Sequence, residues 1–166
     1  MKCWTRIESP IGDLILVADD EALREIRFTS GKRPEGPPVN GQEDPRPFAR
    51  IVRQLDEYFA GGRREFDVPL APQGTAFQRR VWDALLGVAY GRTATYAEIA
   101  RAVGNPKAVR AVGLANGRNP IPIIIPCHRV IGSDGTLTGY GGGLPIKRKL
   151  LELEGVTATL PQRLLI

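Results

Sequence analysis

The fold of this chain is decided by the segment T95-Y-A-E-I-A-R-A-V-G-N-P-K-A-V-R-A-V-G-L-A-N116. Its first nine residues have the spacing of a short amphipathic helix that stops at Gly104, and a second helix follows at once. We expect Asn105 to cap that second helix, with Pro106 at its first helical position. Two helices joined by a tight, glycine-containing turn are typical of a helix-turn-helix, whose second helix can enter a groove of DNA. An ordinary helical hairpin is the alternative.

Helical patterns also flank this segment in the C-terminal part of the chain. The run T75-A-F-Q78 fits a capping box, and apolar residues at helical spacing follow it. Further on, Pro145 opens a run that we expect to be a helix ending at Glu154, before Gly155. The sequence therefore predicts a mainly helical, winged-helix-like domain over residues 73–166.

The N-terminal part of the chain predicts β-structure instead. Three β-prone runs are separated by short turns, as in an antiparallel meander: Trp4–Glu8, Asp13–Ala18 and Leu23–Thr29. Residues 30–47 are rich in glycine and proline and predict a loop, and apolar residues from Pro47 to Ala60 recur at helical spacing. We therefore expect an α+β fold, in which residues 1–72 form a small antiparallel sheet with one helix and precede the helical domain.

The net charge of +5 is unevenly distributed along the 166 residues. Residues 1–72 hold 11 Lys and Arg against 13 Asp and Glu, whereas residues 73–166 hold 12 against 5. The two parts therefore carry −2 and +7, so all of the positive excess lies in the C-terminal part. Such an asymmetry suggests a polyanionic partner such as nucleic acid, although solvated surface charge would give the same count.

Composition excludes several other classes of protein. No apolar run approaches the roughly 20 residues needed to cross a bilayer, so we expect no membrane association. The first ten residues lack the apolar segment of a secretory signal, and two cysteines cannot build a disulfide framework. We therefore expect a reducing, cytoplasmic location. The cysteines and the histidine show no metal-site spacing such as CxxC, and no cofactor motif is recognisable, so we expect neither metal nor cofactor.

A cysteine and the only histidine of the chain stand side by side in I123-I-I-P-C-H-R-V-I-G132. A free cysteine in apolar sequence is most often a small buried hydrophobe. Neighbouring side chains on a strand point to opposite faces, so contact between Cys127 and His128 requires a turn, which Pro126 favours. A neighbouring base would favour the nucleophilic thiolate. At this point an inert thiol and a nucleophile both remain open.

Several motifs together resemble the active-site region of the O6-alkylguanine-DNA alkyltransferases, also called methylated-DNA–protein-cysteine methyltransferases. They are F77-Q-x-x-V-W82, T95-Y-A-E-I-A100, R110-A-V-G113, I124-I-P-C-H-R-V-I131 and L153-E-G155, together with Asn119-Pro120 and the glycine-rich T138-G-Y-G-G-G143. The resemblance covers roughly residues 75–155. The N-terminal meander and helix are compatible with the variable N-terminal domain of that family.

The resemblance implies a role for each matching catalytic residue. It implies that Cys127 takes the alkyl group from the O6 atom of a flipped-out guanine, in a single irreversible turnover. It also implies that the thiol is activated through a water held by His128, which Glu154 orients. Asn119 matches the asparagine that braces the active-site turn. Tyr96 matches the tyrosine that helps to swing out the nucleotide and supports the leaving guanine.

The resemblance further implies which residues meet DNA and the extruded base. The expected DNA-contacting residues are Arg110, Tyr96, Gly113, Asn116 and Ser133. Among them, Arg110 matches the arginine that takes the place of the extruded base in the stack. The expected base pocket is formed by Val130, Tyr140 and Gly141. Some relatives carry serine at the position of Gly141, so a contact to O6 must come here from a backbone N–H.

The sequence thus predicts a direct-reversal DNA repair protein acting on double-stranded DNA that carries O6-alkylguanine, with O4-alkylthymine as a second candidate substrate. We expect a monomer in solution, with clustering on DNA as an alternative. Two other classes remain open. The presence of Cys127 disfavours a non-catalytic binder of alkylated DNA, and the lack of a recognisable sensor domain disfavours a transcription regulator.

Overall fold

A computed structural model describes residues 2–135, 140 and 142–156 of the chain. Strands dominate the first part and helices the second, which confirms the predicted α+β class. The strands are β1 Cys3–Ile7, β2 Leu14–Ala18, β3 Leu23–Phe28, β4 Gln42–Glu43, β5 Ala94–Thr95 and β6 Val130–Ile131. The α-helices are α1 Ala49–Phe59, α2 Ala76–Leu85, α3 Tyr96–Ala102, α4 Val109–Gly117 and α5 Leu144–Leu153. Two 3-10 turns, Arg46–Phe48 and Cys127–Arg129, complete the described elements.

The N-terminal sheet has the strand order β3-β2-β1-β4. Strands β1, β2 and β3 pair antiparallel, as predicted, and every residue of the central strand β2 is buried. Strand β4 was not predicted, because it comes from the segment expected to be a loop, and it runs parallel to β1. The N–H of Gln42 donates to the carbonyl of Lys2 at 3.0 Å. Two residues are too few for an alternating pattern to appear in sequence.

Helix α1 packs against the core beside the N-terminal sheet through the apolar residues that predicted it. Leu55 and Tyr58 are completely buried, and Ile51 is 5% exposed. A 3-10 turn leads into the helix, so α-helical geometry starts at Ala49 instead of Pro47. The buried stripe fixes the helix against the core, which continues without interruption into the C-terminal part of the molecule.

Helices α2 and α3 begin where their side chains cap them. Thr75 and Gln78 form the predicted capping box at the start of α2, and Thr95 and Glu98 form a second one at α3. Helix α2 also packs on α4, because the indole N–H of the buried Trp82 donates to a backbone carbonyl of α4 at 2.9 Å. The Trp82 bond therefore holds α4, the second helix of the helix-turn-helix, against α2.

The start of α4 differs from the prediction. The helix begins at Val109, so Asn105 is not its N-cap and Pro106 is not its first residue. Instead, the N–H of Ala108 donates to the carbonyl of Asn105 at 3.0 Å and closes a separate turn. Asn and Pro at the first two positions suit such a β-turn as well as they suit a helix start. The turn after α3 is closed by Gly104, whose φ of +83° is favourable for glycine.

The sheet and the helical part are joined through the edge strand β3. The N–H of Ile26 donates to the carbonyl of Pro120 at 2.9 Å, in the segment that follows α4. Leu23 exchanges backbone hydrogen bonds with the connecting segment at Pro69 and Ala71. The boundary placed between residues 72 and 73 stays a prediction. Among the described residues, no helix has both the length and the apolar character needed to cross a membrane.

Candidate active site

Cys127 lies in a tight turn that forms locally. Pro126 has φ −82° and ψ 64°, the geometry of an inverse γ-turn, and the N–H of Cys127 donates across it to the carbonyl of Ile125 at 2.8 Å. The 3-10 turn Cys127–Arg129 follows immediately. The expected turn is therefore present, and it interrupts the alternation that would send Cys127 and His128 to opposite faces of a strand.

Two asparagines hold this turn in place. Asn119 donates its side-chain N–H to the carbonyl of Ile125 at 2.7 Å, and Asn116 donates to the carbonyl of Cys127 at 3.3 Å. The loop between Asn119 and Cys127 contains Ile123, whose φ of 77° is a left-handed conformation that disfavours a β-branched side chain. Such strain persists only where surrounding contacts overdetermine the backbone, as the two asparagines do here.

Glu154 is the centre of a buried hydrogen-bond network behind the turn. Its Oε2 accepts from Nε2 of His128 at 2.7 Å, and its Oε1 accepts from Nε of Arg129 at 2.8 Å. A second Arg129 nitrogen, Nη2, donates to Oε2 at 3.1 Å. The side chains of His128 and Glu154 are completely buried. Glu154 is the C-cap of α5, where only specific partners make an anion favourable.

Neighbouring charges determine which proton each member of this network holds. Burial alone would raise the pKa of Glu154, but the hydrogen bonds and charges of His128 and Arg129 outweigh it and lower the pKa to about 2. The hydrogen bonds from the Arg129 guanidinium keep Glu154 ionised even when His128 is neutral. Burial lowers the pKa of His128, and Glu154 offsets this only in part. His128 is therefore a neutral imidazole at neutral pH, with Nε2–H donating to Glu154 and Nδ1 as its basic nitrogen.

The Cys127 thiol is less acidic than an adjacent base would suggest. It is 3% exposed, and burial raises its pKa to about 11, although a hydrogen bond with Asn119 and the charge of Lys147 lower it in part. The thiol is therefore protonated at neutral pH in the free protein, and the nucleophilic role of Cys127 stays a prediction. Reaction requires the proton to leave when the substrate is bound.

Lys147 is a buried cation beneath the same turn. Its side chain is completely buried, and its Nζ donates to the carbonyl of Val130 at 2.6 Å. Burial lowers the pKa of Lys147 to about 8, while Cys127 acts in the opposite direction. A positive charge near the sulfur favours the thiolate over the thiol, so Lys147 lowers the cost of deprotonating Cys127.

Cys127 faces a cavity of about 440 Å³ between the N-terminal sheet and the segment after α4. The ring of Tyr140 lines this cavity beside Phe28, with 5.9 Å between the two ring centroids. Its walls also include Ile26, Arg33, Glu35, Asn116, Asn119, Pro120, Pro122 and Gly142. An aromatic wall, polar side chains and a thiol suit a planar heterocycle that carries an electrophilic group.

Comparisons with known proteins agree with this geometry over almost the whole chain. Residues 76–156 match the DNA-binding domain of 6-O-methylguanine DNA methyltransferase, and residues 2–72 match the ribonuclease-like domain of the same family. The chain belongs to the 6-O-methylguanine DNA methyltransferase family. A relative from Methanosarcina acetivorans named methylated-DNA–protein-cysteine methyltransferase is 56% identical over 148 residues, which are 89% of this chain and 95% of that protein.

Solved structures of the 6-O-methylguanine DNA methyltransferase family share the fold. A crystal structure of the Mycobacterium tuberculosis O6-methylguanine methyltransferase is 50% identical, with a TM-score of 0.87, covering 98% of this chain and 96% of that chain. A crystal structure of the same organism's protein in complex with DNA is 50% identical, with a TM-score of 0.86, covering 98% of this chain and 97% of the other. The predicted family and α+β fold are therefore confirmed.

The residues expected to meet DNA fall into an exposed group and a buried one. Arg110 is exposed near the start of α4, and Ser133 is exposed in the turn after β6. Tyr96 opens α3 half-buried, and a Cβ added to Gly113 would lie 3.9 Å from its ring. Asn116 departs from the expectation of a DNA contact, because it is 1% exposed and its amide braces the Cys127 turn from inside the protein.

The expected base pocket is described only in part. Tyr140 lines the cavity at Cys127 and is 5% exposed. Val130 is completely buried, and its carbonyl already accepts from Lys147, so it supports the pocket from below. Gly141 lies outside the described residues.

Three members of the site were missed in sequence, for different reasons. The hydroxyl of Tyr58 in α1 donates to Oε2 of Glu154 at 2.5 Å, but 96 residues separate the two, and Tyr58 fitted the apolar stripe of its helix. Arg129 carried no signal beyond its place beside His128. Lys147 could have been found, because it lies three and four positions before the buried Leu150 and Leu151, on the apolar face of α5.

Proposed function

We propose that this protein repairs alkylated DNA by direct reversal, moving an alkyl group from the O6 atom of guanine to its own Cys127. One observation carries this proposal. The Cys127 thiol faces a cavity of about 440 Å³ and adjoins the buried His128–Glu154 pair, in a family whose members are named for a DNA lesion and a protein cysteine. A thiol at the wall of a base-sized cavity is suited to attack a group carried by that base.

The proposed reaction moves one alkyl group and one proton. Sγ of Cys127 gives its proton to Nδ1 of His128, directly or through a water, and Glu154 stabilises the imidazolium that results. The thiolate then attacks the alkyl carbon, forming a carbon–sulfur bond while the carbon–O6 bond breaks and its electron pair goes to the guanine. The guanine takes up, directly or through water, the proton that the thiol gave to His128, and this proton replaces the alkyl group. The products are an unmodified base and a thioether on Cys127.

The proposed reaction is a single turnover for chemical reasons. To remove the alkyl group from the thioether, a second nucleophile would have to displace the Cys127 thiolate from the alkyl carbon. A thiolate is a poor leaving group in such a reaction. Within the described residues, Cys3 is the other free cysteine, and it lies in β1 of the N-terminal sheet. The protein is therefore consumed by one repair event.

We propose that α4 is the helix that meets DNA. The O6 atom of a paired guanine is out of reach of a buried thiol, so the nucleotide must be flipped out. Arg110, exposed near the start of α4, would fill the gap in the base stack, while Tyr96 and Ser133 would contact the strand beside it. Gly113 has no side chain and lets the helix approach the duplex closely, as minor-groove binding requires.

We propose that the extruded base stacks in the cavity beside Tyr140. Val130 would support the pocket from below, and a backbone N–H would donate to O6. O4-alkylthymine presents an alkylated oxygen on a smaller ring, so the same pocket would accept it as a second substrate.

We also propose that a monomer carries out the repair in a reducing compartment, the cytoplasm. Cys127 must remain a free thiol until it meets its substrate, and such thiols persist where glutathione and thioredoxin keep them reduced. Clustering of several molecules on one DNA would appear as cooperative binding in a titration with duplexes of increasing length.

The test uses a duplex oligonucleotide that contains one O6-methylguanine. Incubation with excess duplex should add one methyl group per chain, located on the peptide that contains Cys127 by tandem mass spectrometry. The Cys127→Ser variant should show no transfer while still binding the duplex, and the Cys3→Ser variant should behave like the unmodified protein. Several turnovers per chain, or methyl groups on Cys3, would contradict the proposed function.

A further inference from the structure

One side chain of the N-terminal half reaches the buried hydrogen-bond network behind Cys127. Tyr58 lies near the end of α1 and is completely buried. Its hydroxyl donates to Oε2 of Glu154 at 2.5 Å, which links two elements 96 residues apart in the chain. A core tyrosine needs some partner for its hydroxyl, and a backbone carbonyl would be sufficient. Here the partner is the carboxylate that orients His128.

Tyr58 and His128 share the same oxygen of Glu154. Oε2 accepts from the Tyr58 hydroxyl, from Nε2 of His128 at 2.7 Å and from Nη2 of Arg129 at 3.1 Å. Each donor withdraws electron density from that oxygen and weakens its bonds to the others. The strength with which Glu154 holds a proton on His128 therefore depends on the hydroxyl of Tyr58.

We propose that Tyr58 is a positioning residue for alkyl transfer, whose hydroxyl anchors Glu154 and limits how strongly this carboxylate stabilises the imidazolium of His128. The inference rests on the proposed function of Cys127 and His128. His128 must take a proton from the Cys127 thiol and later give it up towards the guanine. A carboxylate that stabilised the imidazolium too strongly would leave His128 already protonated and unable to accept.

The surroundings of Tyr58 keep its hydroxyl a neutral donor in a fixed position. Burial raises the pKa of Tyr58 far above its ordinary value, and the charge of Glu154 raises it further, so the phenol never ionises at working pH. Its ring packs against three others, those of Phe59, Phe66 and Tyr90, at centroid distances of 5.3, 5.5 and 6.2 Å. The ring position therefore survives removal of the hydroxyl oxygen alone.

Tyr90 provides a matched control within the same aromatic cluster. Its ring contacts that of Tyr58 edge-on, but its hydroxyl bonds to the backbone carbonyl of Leu153 at 3.4 Å. Tyr58→Phe and Tyr90→Phe each remove one hydroxyl from this cluster. Only the first of these hydroxyls contacts the Glu154 carboxylate.

The experiment measures the single-turnover rate of methyl transfer from a duplex containing O6-methylguanine, between about pH 5 and about pH 9. The acidic limb of this profile reports protonation of His128, whose pKa burial lowers. In Tyr58→Phe, Oε2 loses a donor and becomes more basic, so the pKa of His128 rises. We expect the acidic limb of the rate profile to move to higher pH by about half a unit, so that the rate on that limb falls about threefold, while the rate at pH 7, where His128 is neutral, changes less. The Tyr90→Phe profile should overlay that of the unmodified protein.

A second variant tests the sign of the effect and does not depend on the folding of Tyr58→Phe. A fluorinated tyrosine at position 58 is a stronger donor of nearly the same shape, so it should move the acidic limb to lower pH. A Tyr58→Phe profile that overlays that of the unmodified protein, or a fluorotyrosine shift in the same direction as that of Tyr58→Phe, would overturn the inference. Failure of the unmodified protein to transfer any methyl group would instead contradict the proposed function.

Discussion

Burial of the Cys127 thiol protects the proposed nucleophile from side reactions. The raised pKa of about 11 keeps the sulfur protonated at neutral pH, and an exposed fraction of 3% keeps oxidants and small electrophiles away from it. Alkylation by a small electrophile would be as final as repair itself, whereas the first oxidation products of a thiol can be reduced again. The side chains of Asn119 and Lys147 lower the cost of deprotonation without removing the proton in advance.

We expect labelling of Cys127 by iodoacetamide to rise with pH, because only the thiolate reacts and its pKa lies near 11. Below that pKa the thiolate fraction grows tenfold per pH unit, so the labelling rate should rise in roughly that proportion between about pH 7 and about pH 9. Cys3 is only half-buried and should be labelled first. Peptide mass spectrometry on the Cys3→Ser variant isolates Cys127. Rapid labelling at pH 7 that does not change with pH would contradict the raised pKa.

At the scale of single elements, α4 presents its exposed face next to the cavity that Cys127 lines. Its buried residues, Val112 and Ala115, hold it on the core, whereas Arg110 and Leu114 are exposed. Because the side chain of Arg110 is exposed, its substitution leaves these buried contacts unchanged. Substitution there therefore tests DNA engagement separately from folding.

Arg110→Ala should slow methyl transfer from duplex DNA much more than transfer from the free alkylated base. Holding a flipped nucleotide costs a few kcal/mol, so we expect a loss of about tenfold or more on duplex and less than about twofold on the free base. The control is Arg101→Ala, which removes an exposed cation from the last turn of α3. Single-turnover rates on both substrates provide the comparison. Equal losses on the two substrates would show that Arg110 does not act on the flipped state.

The elements that sequence predicted well are those whose ends are marked by local chemistry. Capping boxes at Thr75 and Thr95 place the starts of α2 and α3, since each side chain bonds to a backbone group three residues away. The start of α4 was wrong because an Asn-Pro pair suits a turn and a helix start equally. Strand β4 escaped because it depends on pairing with β1, which leaves no periodic pattern in two residues.

The same distinction applies to the candidate site. Cys127, His128 and Asn119 belong to one short stretch of chain, so a motif was sufficient to bring them together. Tyr58 could not be found that way, because its bond to Glu154 exists only once the two halves have docked. In the sequence, Tyr58 fitted the apolar stripe of α1. The positioning role proposed for it depends on the contact of its hydroxyl with the buried Glu154 carboxylate.

At the scale of the whole molecule, the two halves behave as one folded unit. A single apolar core runs from the N-terminal sheet into the helices, and the Ile26–Pro120 and Tyr58–Glu154 hydrogen bonds cross between them. Cys127 belongs to this core, so an alkyl group on its sulfur adds volume to packing that both halves share. Cys127 is 3% exposed, so part of the added group contacts buried neighbours even though the thiol faces the cavity.

We expect the methylated protein to be less stable than the unmodified one. Extra volume in a packed site costs roughly 1–3 kcal/mol, which should lower both the denaturation midpoint in urea and the melting temperature. Both forms are prepared from one batch, with and without the O6-methylguanine duplex, and are compared after the DNA is removed. The Cys127→Ser protein treated with the same duplex is the control and should not change. A methylated protein of equal or greater stability would contradict close packing at the sulfur.

The covered edge strand β3 has a consequence for the fate of used molecules. The central strand β2 is an uninterrupted apolar run, L14-I-L-V-A18, of the kind that assembles into cross-β aggregates when it is uncovered. In the intact protein β3 shields one side of it, and the backbone of β3 is itself occupied by Pro69 and Pro120. Because each chain is used once, the amount of alkylated protein formed in a cell grows with the number of DNA lesions repaired. The hydrogen bond from Ile26 to Pro120 thus connects the strand that covers β2 to the segment that lines the Cys127 cavity.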